Sequence, residues 1–195
     1  VRTDDGGQSF RPLLNGFRAS AVNDLAFDAD GELLVGVLNT HVILRQVHDG
    51  TFDAIGHTAV LNANGFRSAT AVAASPTDPN VIVVAGFGGP ALWRTGDGGN
   101  TWTEPTVTGS PRNYNQARFA FASESRLYLA LPTTFALPGL YRSDDAGQSF
   151  ELLSTLPFGA IAVDPADADI VYVGTFNSSE GLFKSTEGGQ TPHHL

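Results

Sequence analysis

Thr95-Gly96-Asp97-Gly98-Gly99-Asn100-Thr101-Trp102 is a turn legible from residue types alone. Asp and Asn bond back to the backbone of their own turn, paired glycines admit positive φ, and a hydroxyl on each flank adds short-range bonds. The same order returns as Thr3-Asp4-Asp5-Gly6-Gly7-Gln8-Ser9-Phe10 and as Ser143-Asp144-Asp145-Ala146-Gly147-Gln148-Ser149-Phe150. It returns once more as Ser185-Thr186-Glu187-Gly188-Gly189-Gln190-Thr191. A weaker copy, Gln46-Val47-His48-Asp49-Gly50-Thr51-Phe52, is one residue short and lacks the leading hydroxyl. The closing aromatics fall at 10, 52, 102 and 150, intervals of 42, 50 and 48, and Ser149 to Thr191 is again 42. Recurrence on this scale marks a repeated supersecondary unit.

Working outward from the turns, each is preceded by the same parts. The third copy follows apolar runs at 116–122, 126–131 and 139–142, and leads into 149–153. The second follows 69–74, 81–86 and 91–94 and leads into 101–103; the fourth follows 160–163, 170–174 and 181–184. The weak copy follows 22–27, 32–37 and 41–45. Turns rich in Asp, Pro and Gly separate the first two runs of a unit, as in Asp28-Ala29-Asp30-Gly31 and Asp164-Pro165-Ala166-Asp167. Val81-Ile82-Val83-Val84 and Ile170-Val171-Tyr172-Val173 are nearly continuously apolar, which predicts strands buried on both faces. No segment carries sustained helical periodicity. The fold class is all-β, and a 40–50 residue period with four antiparallel strands per unit predicts β-propeller blades, about four in this chain.

The motif resembles the Asp-box, or BNR repeat, of sialidases and other propellers, and the resemblance runs from residue 3 to residue 191. It implies a turn between the third and fourth strands of each blade, with Asp5, Gly7, Asp97, Gly99, Asp145, Gly147, Glu187 and Gly189 in structural roles. Residues 1–191 read as one propeller domain or propeller fragment and 192–195 as a tail, with the last blade short of its fourth strand. An orphan fourth strand at 9–14 allows closure into a four-bladed ring. A complete turn motif at both ends instead favours a piece of a longer array of six or seven blades. Open strand edges are expected to promote self-association.

Composition narrows the partners. The formal charge is −9, from 20 acidic and 11 basic residues, and no Lys/Arg run is present, which argues against nucleic acid. No apolar stretch reaches the roughly 18 residues of a membrane span. The absence of cysteine excludes disulfides and thiolate metal sites. The chain has no methionine, so processing or excision from a longer chain is expected, with an extracellular or periplasmic location. No cofactor or metal is expected.

The loops opposite the turn motifs are the expected working rim, as the resemblance implies. Asn15-Gly16-Phe17-Arg18 and Asn64-Gly65-Phe66-Arg67 repeat at equivalent places, and a third blade offers Pro111-Arg112-Asn113-Tyr114 with Arg118. Arg18, Arg67, Arg112 and Arg118 could together hold a carboxylate or phosphate through bidentate bonds. Phe87 and Phe135 lie in neighbouring loops and suit sugar or peptide contacts. No Tyr–Glu nucleophile pair can be placed, and Asp24, Asp53, Glu104 and Glu180 are not paired by any motif, although glycosidases need two carboxylates. The expected function is therefore a non-catalytic binding or scaffold propeller whose arginine-bearing rim recognises a protein or a carbohydrate surface. The alternatives are a fragment of a sialidase-like or xyloglucanase-like glycoside hydrolase, and a structural assembly factor.

Overall fold

A computed structural model describes residues 3, 5–9, 21–38, 43–47, 51–55, 68–87, 91–109, 114–132, 137–176 and 181–195. Among them there is no helix; the strands form four sheets that follow one another along the chain. The first contains β1 (Val22–Phe27), β2 (Leu33–Val37), β3 (Ile43–Val47) and β4 (Thr51–Ile55). The second contains β5 (Ser68–Ala74), β6 (Ile82–Phe87) and β7 (Leu92–Thr95). The third contains β9 (Arg118–Phe121), β10 (Leu127–Leu131), β11 (Gly139–Ser143) and β12 (Ser149–Ser154), with β8 (Thr106–Val107) added alongside β12. The fourth contains β13 (Phe158–Asp164), β14 (Asp167–Thr175), β15 (Leu182–Ser185) and β16 (His193–His194). Apart from β8, which joins the third sheet in parallel, each sheet is an antiparallel meander in sequence order.

The sheets stack face to face. β1 lies beside β5, β5 beside β9 and β9 beside β13, so the first strands run along the inside of the stack. Among the described residues no comparable contact joins β13 back to β1.

Alternation along the strands explains the stacking, because successive residues point to opposite faces. In β6, Ile82 and Val84 enter the core shared with the first sheet, where Leu34, Ile43, Trp93 and Trp102 are buried. Val83 and Ala85 enter the core shared with the third sheet, with Leu127, Leu129, Leu131, Tyr141 and Phe150. A third core joins Tyr128, Ala130 and Leu140 of the third sheet to Phe158, Val171, Val173 and Phe183 of the fourth. Each such fully buried large apolar side chain contributes on the order of 1.5–3 kcal/mol, so the two-sided inner sheets carry most of the stability.

The structure corrects three expectations. Residues 170–173 are buried on one face only: Val171 and Val173 pack on the third sheet, whereas Ile170 and Tyr172 stay partly exposed. Apolar composition called for cover on both sides, but no described residue stacks on the second. The last sheet does have a fourth strand, since His193 and His194 pair with Lys184 and Phe183. The His194 ring stands edge-on to Phe183 at 5.2 Å, which gives this short polar pair an apolar anchor.

Residues 101–103, finally, do not form a strand. Thr103 makes a single bridge to Arg94, after which the chain crosses to run parallel to β12 as β8. Pro105 between them has no N–H to continue the ladder of the second sheet. The expected orphan strand at 9–14 and the weak turn at 48–50 lie largely or wholly outside the described residues.

Candidate binding rim and the turns opposite it

The repeated turns are held by one bonding scheme. Thr95 Oγ1 donates to Asp97 Oδ1 at 2.7 Å and accepts from Gly99 N at 2.9 Å. Asp97 then accepts Thr101 N on Oδ1 at 2.8 Å and Thr101 Oγ1 on Oδ2 at 2.6 Å. Ser143, Asp145, Gly147 and Ser149 repeat these bonds, at 2.7, 2.8, 2.9 and 2.6 Å. Thr3, Asp5, Gly7 and Ser9 repeat them again.

The scheme needs a left-handed backbone at the fifth motif position, where Gly99 has φ +100° and Gly147 +85°. A Cβ at Gly147 would also meet Val83 Cγ2 at 2.7 Å. The fourth turn differs because Glu187 is one methylene longer than Asp. It still accepts Thr191 Oγ1 at 2.5 Å, but the Ser185 hydroxyl turns to the Gln190 carbonyl at 2.6 Å.

The donated bonds keep these carboxylates ionised. Thr101's hydroxyl, then its N–H, hold Asp97 down to about 2, and Ser9's hydroxyl pulls Asp5 well below the usual carboxylate range. For Asp145, burial pushes the other way, yet the Ser149 bonds still leave it below the usual carboxylate range. The turn acids are thus used up as turn ligands. Among the described residues no group of three or more His, Asp or Glu side chains is placed to hold a metal ion.

Of the six expected ligand residues, two lie among the described residues, both at strand ends. Phe87 ends β6, half-buried, opposite buried Ser68. Arg118 begins β9, exposed, and its Nη1 donates to the Ala117 carbonyl at 2.8 Å. The turn at 114–117 connects them, because Tyr114 N donates to Gly86 O at 3.2 Å and Ala117 N to Tyr114 O at 3.1 Å. Thr70 Oγ1 lies 3.2 Å from both Ala85 O and Tyr114 O, fastening the turn to the second sheet. Gln116 takes φ +62° to complete it. Arg18, Arg67, Arg112, Phe135 and Glu180 lie outside the described residues.

Asp24 and its neighbour Asn23 bond across sheets. Asp24 Oδ2 accepts Val72 N at 2.9 Å and Asn23 Nδ2 donates to Ala69 O at 2.9 Å, so both stitch β1 to β5. Two of the tyrosines are likewise engaged. Tyr128 donates to Ala168 O at 3.1 Å and Tyr141 to Leu137 O at 2.8 Å. Burial pushes the Tyr141 phenol up to about 12 and Tyr114 higher still, with Tyr141 and Glu104 adding to the latter.

Sequence reasoning missed a set of cations that bond across sheets. Arg45 Nη2 donates to Pro79 O and pairs with buried Asp28 at 2.9 Å. Arg94 Nε donates to Ala146 O at 2.8 Å and Arg142 Nη1 to Gly188 O at 3.0 Å. Each reaches from one sheet to a turn of the next. The signal was present: Arg94, Arg142 and Lys184 each immediately precede the leading hydroxyl of a motif. Arg126 adds a second tie, bridging Asp144 of the third sheet to Asp169 of the fourth.

No protein-family model and no curated protein sequence matches the chain. Solved structures do match, and they define a β-propeller-like arrangement of sheets. An ancestral GH74 enzyme aligns at 18% identity and TM-score 0.65 over 94% of this chain and 25% of its own. YCF48 from Cyanidioschyzon merolae aligns at 16% identity and TM-score 0.55 over 90% of this chain and 57% of its own. YCF48 bound to D1 peptide aligns at 18% identity and TM-score 0.56 over 91% and 57%. The chain thus spans from a quarter to somewhat over half of these structures.

Proposed function

We propose that the chain is an Asp-box β-propeller unit, its four sheets being blades, and that it binds a protein segment through the loop rim carrying Phe87 and Arg118 without catalysing a reaction. The observation that supports it most is the fastening of that rim. The Gly86–Tyr114 bond sets an aromatic side chain and a guanidinium on adjoining, rigidly held strand ends. An aromatic beside an arginine suits a peptide bearing a carboxylate and an apolar side chain. Arg18, Arg67, Arg112 and Phe135 belong to the same rim in the sequence and would extend it. The fold-level likeness to YCF48 bound to D1 peptide favours a peptide occupant. Engagement of the turn acids and of Asp24 in structural bonds weighs against catalysis.

The second reading, a portion of a glycoside hydrolase, is favoured by the likeness to the ancestral GH74 enzyme. Calorimetric titration of the chain with acidic peptides and with xyloglucan and sialylated oligosaccharides separates the readings. Peptide binding that is lost in Arg118→Ala and in Arg18→Ala plus Arg67→Ala, with no turnover of either sugar, is the expected result. Oligosaccharide hydrolysis, or peptide binding indifferent to all three arginines, overturns it.

A further inference from the structure

The register matches positions from sheet to sheet, and at one of them an acid, a methyl group and a cation stand in turn. Ala26, Ala73, Ala120 and Ala162 occupy equivalent places, opposite Leu34, Val83, Tyr128 and Tyr172. Two residues earlier, on the same face, come Asp24, Ala71, Arg118 and Ala160. One residue earlier, on the other face, come Leu25, Val72, Phe119 and Ile161. Val72, Phe119 and Ile161 each pack on the sheet before their own.

Between the first and second sheets the acid closes a bond. Asp24 Oδ2 accepts Val72 N at 2.9 Å, so a carboxylate of one sheet caps an inner-edge N–H of the next. Between the second and third sheets Ala71 is buried and has no acceptor to offer Phe119. Between the third and fourth the position belongs to Arg118, and Ile161 stands in the place of Val72. The direction of the Ile161 N–H follows from β14. Thr175 N bonds to Gly181 O on the β15 side, and Phe176 N bonds to Pro157 O on the β13 side. By alternation Tyr172 exchanges bonds with Ala162, which leaves the Ile161 backbone on the inner edge. Among the described residues no side chain accepts from it. Arg118 has donors only and cannot cap an N–H; its Nη1 turns back to Ala117 O at 2.8 Å.

We propose that this third interface takes its carboxylate from a ligand. A peptide carboxylate accepts from the Arg118 guanidinium and from Ile161 N, in the place that Asp24 fills between the first two sheets. The choice of a peptide rests on the function proposed above; the carboxylate rests on the register. Two donors on one anion, one of them charged, make a strong form of hydrogen bonding. Arg118 and Ala160 are exposed and Ile161 is partly so, which leaves the place open to solvent. Phe176 adjoins it, 39% exposed and packed against Gly159, where an added Cβ would lie 2.9 Å from the Phe176 Cβ. The ligand therefore carries an apolar side chain next to its acid.

The test is amide NMR of the isotope-labelled chain. The probes are sodium acetate, a capped Ala-Leu-Glu-Leu-Ala peptide, its Gln counterpart, and the Gln peptide with a free C-terminus. Acetate and the Glu peptide should move the Ile161 amide proton downfield, and the capped Gln peptide should not. A response to the free C-terminus in place of Glu would assign the carboxylate to a chain end. Arg118→Gln, at an exposed position, keeps the native spectrum elsewhere and weakens each response roughly tenfold or more. Arg118→Asp supplies the carboxylate from the chain itself, as Asp24 does. In that variant the Ile161 amide starts downfield, exchanges more slowly and no longer answers acetate. An Ile161 amide that acetate and both acidic peptides leave unmoved overturns the proposal, as does a response unchanged in Arg118→Gln. Peptide binding through Arg118 with a silent Ile161 amide would sink this inference and keep the function proposed above. An acetate response without any peptide binding would do the reverse.

Discussion

Asp145 offers the sharpest test of what the repeated turn does. Replacing it with Ala removes an acceptor of three backbone or hydroxyl donors on Oδ1, namely Ser143 Oγ, Gln148 N and Ser149 N, and one on Oδ2, Ser149 Oγ. A bond to a charged acceptor contributes roughly 1.5–3 kcal/mol when sheltered, and removing a capping acceptor costs about 0.5–2 kcal/mol where water can replace it. Gln148 and Ser149 are exposed, so the lower scale governs, and the turn as a whole should lose about 2 kcal/mol. In a chain of this size that corresponds to a melting temperature about 4–8 °C lower. Asp145→Asn keeps Oδ1 as an acceptor and should lose about half as much. Glu187→Ala in the fourth turn should cost least, because Glu187 holds Thr191 Oγ1 while Ser185 bonds elsewhere. Urea denaturation of the three variants measures the order directly. Equal losses for Asp145→Ala and Glu187→Ala, or a loss under about 0.5 kcal/mol for the former, would refute the claim that the carboxylate organises the turn.

Three further expectations follow from the same geometry. Ala146 sits at φ +56° where the other turns have glycine, so Ala146→Gly should raise stability by about 1 kcal/mol in urea unfolding. Arg142→Ala severs the bonds to Gly188 O and Asp144 and should cost about 1–2 kcal/mol, whereas Lys184→Ala should be near neutral in the monomer, as thermal unfolding would show. Acid should destabilise the fold. Asp97's folded value, about 2, lies below its ordinary 3.8, so its contribution is present above pH 3.8 and lost as pH falls toward 2. Asp5 and Asp145, lowered in the same direction, act with it, and a pH titration of unfolding from 6 to 2 should show that loss, reduced in the Asp97→Asn variant.

The four-unit layout was legible because the turn motif carries its own bonding instructions within eight residues. Thr95, Asp97, Gly99 and Thr101 satisfy one another, so no distant partner is needed to read the turn. Strand positions such as 22–27 followed from apolar runs at fixed distances from it, and the structure places β1 there. Of the candidate site, the structure describes Phe87 and Arg118 at strand ends, and the turn at 114–117 between them, held by Gly86 and Thr70, was not anticipated. Those bonds link residues 28 and 44 positions apart and both end on backbone carbonyls, which leave no mark in residue type.

By itself, then, the sequence determined the period, the all-β class and the internal chemistry of each turn, since all three depend on neighbours within a few residues. Tertiary structure alone decided which faces of those strands are covered. Tyr128 and Tyr172 occupy matching rows and read alike in sequence, yet the first is fully buried beneath the fourth sheet and the second remains partly open. The difference lies in whether another sheet stacks upon them, and burial of that kind is a property of the assembled layers, which no local pattern encodes.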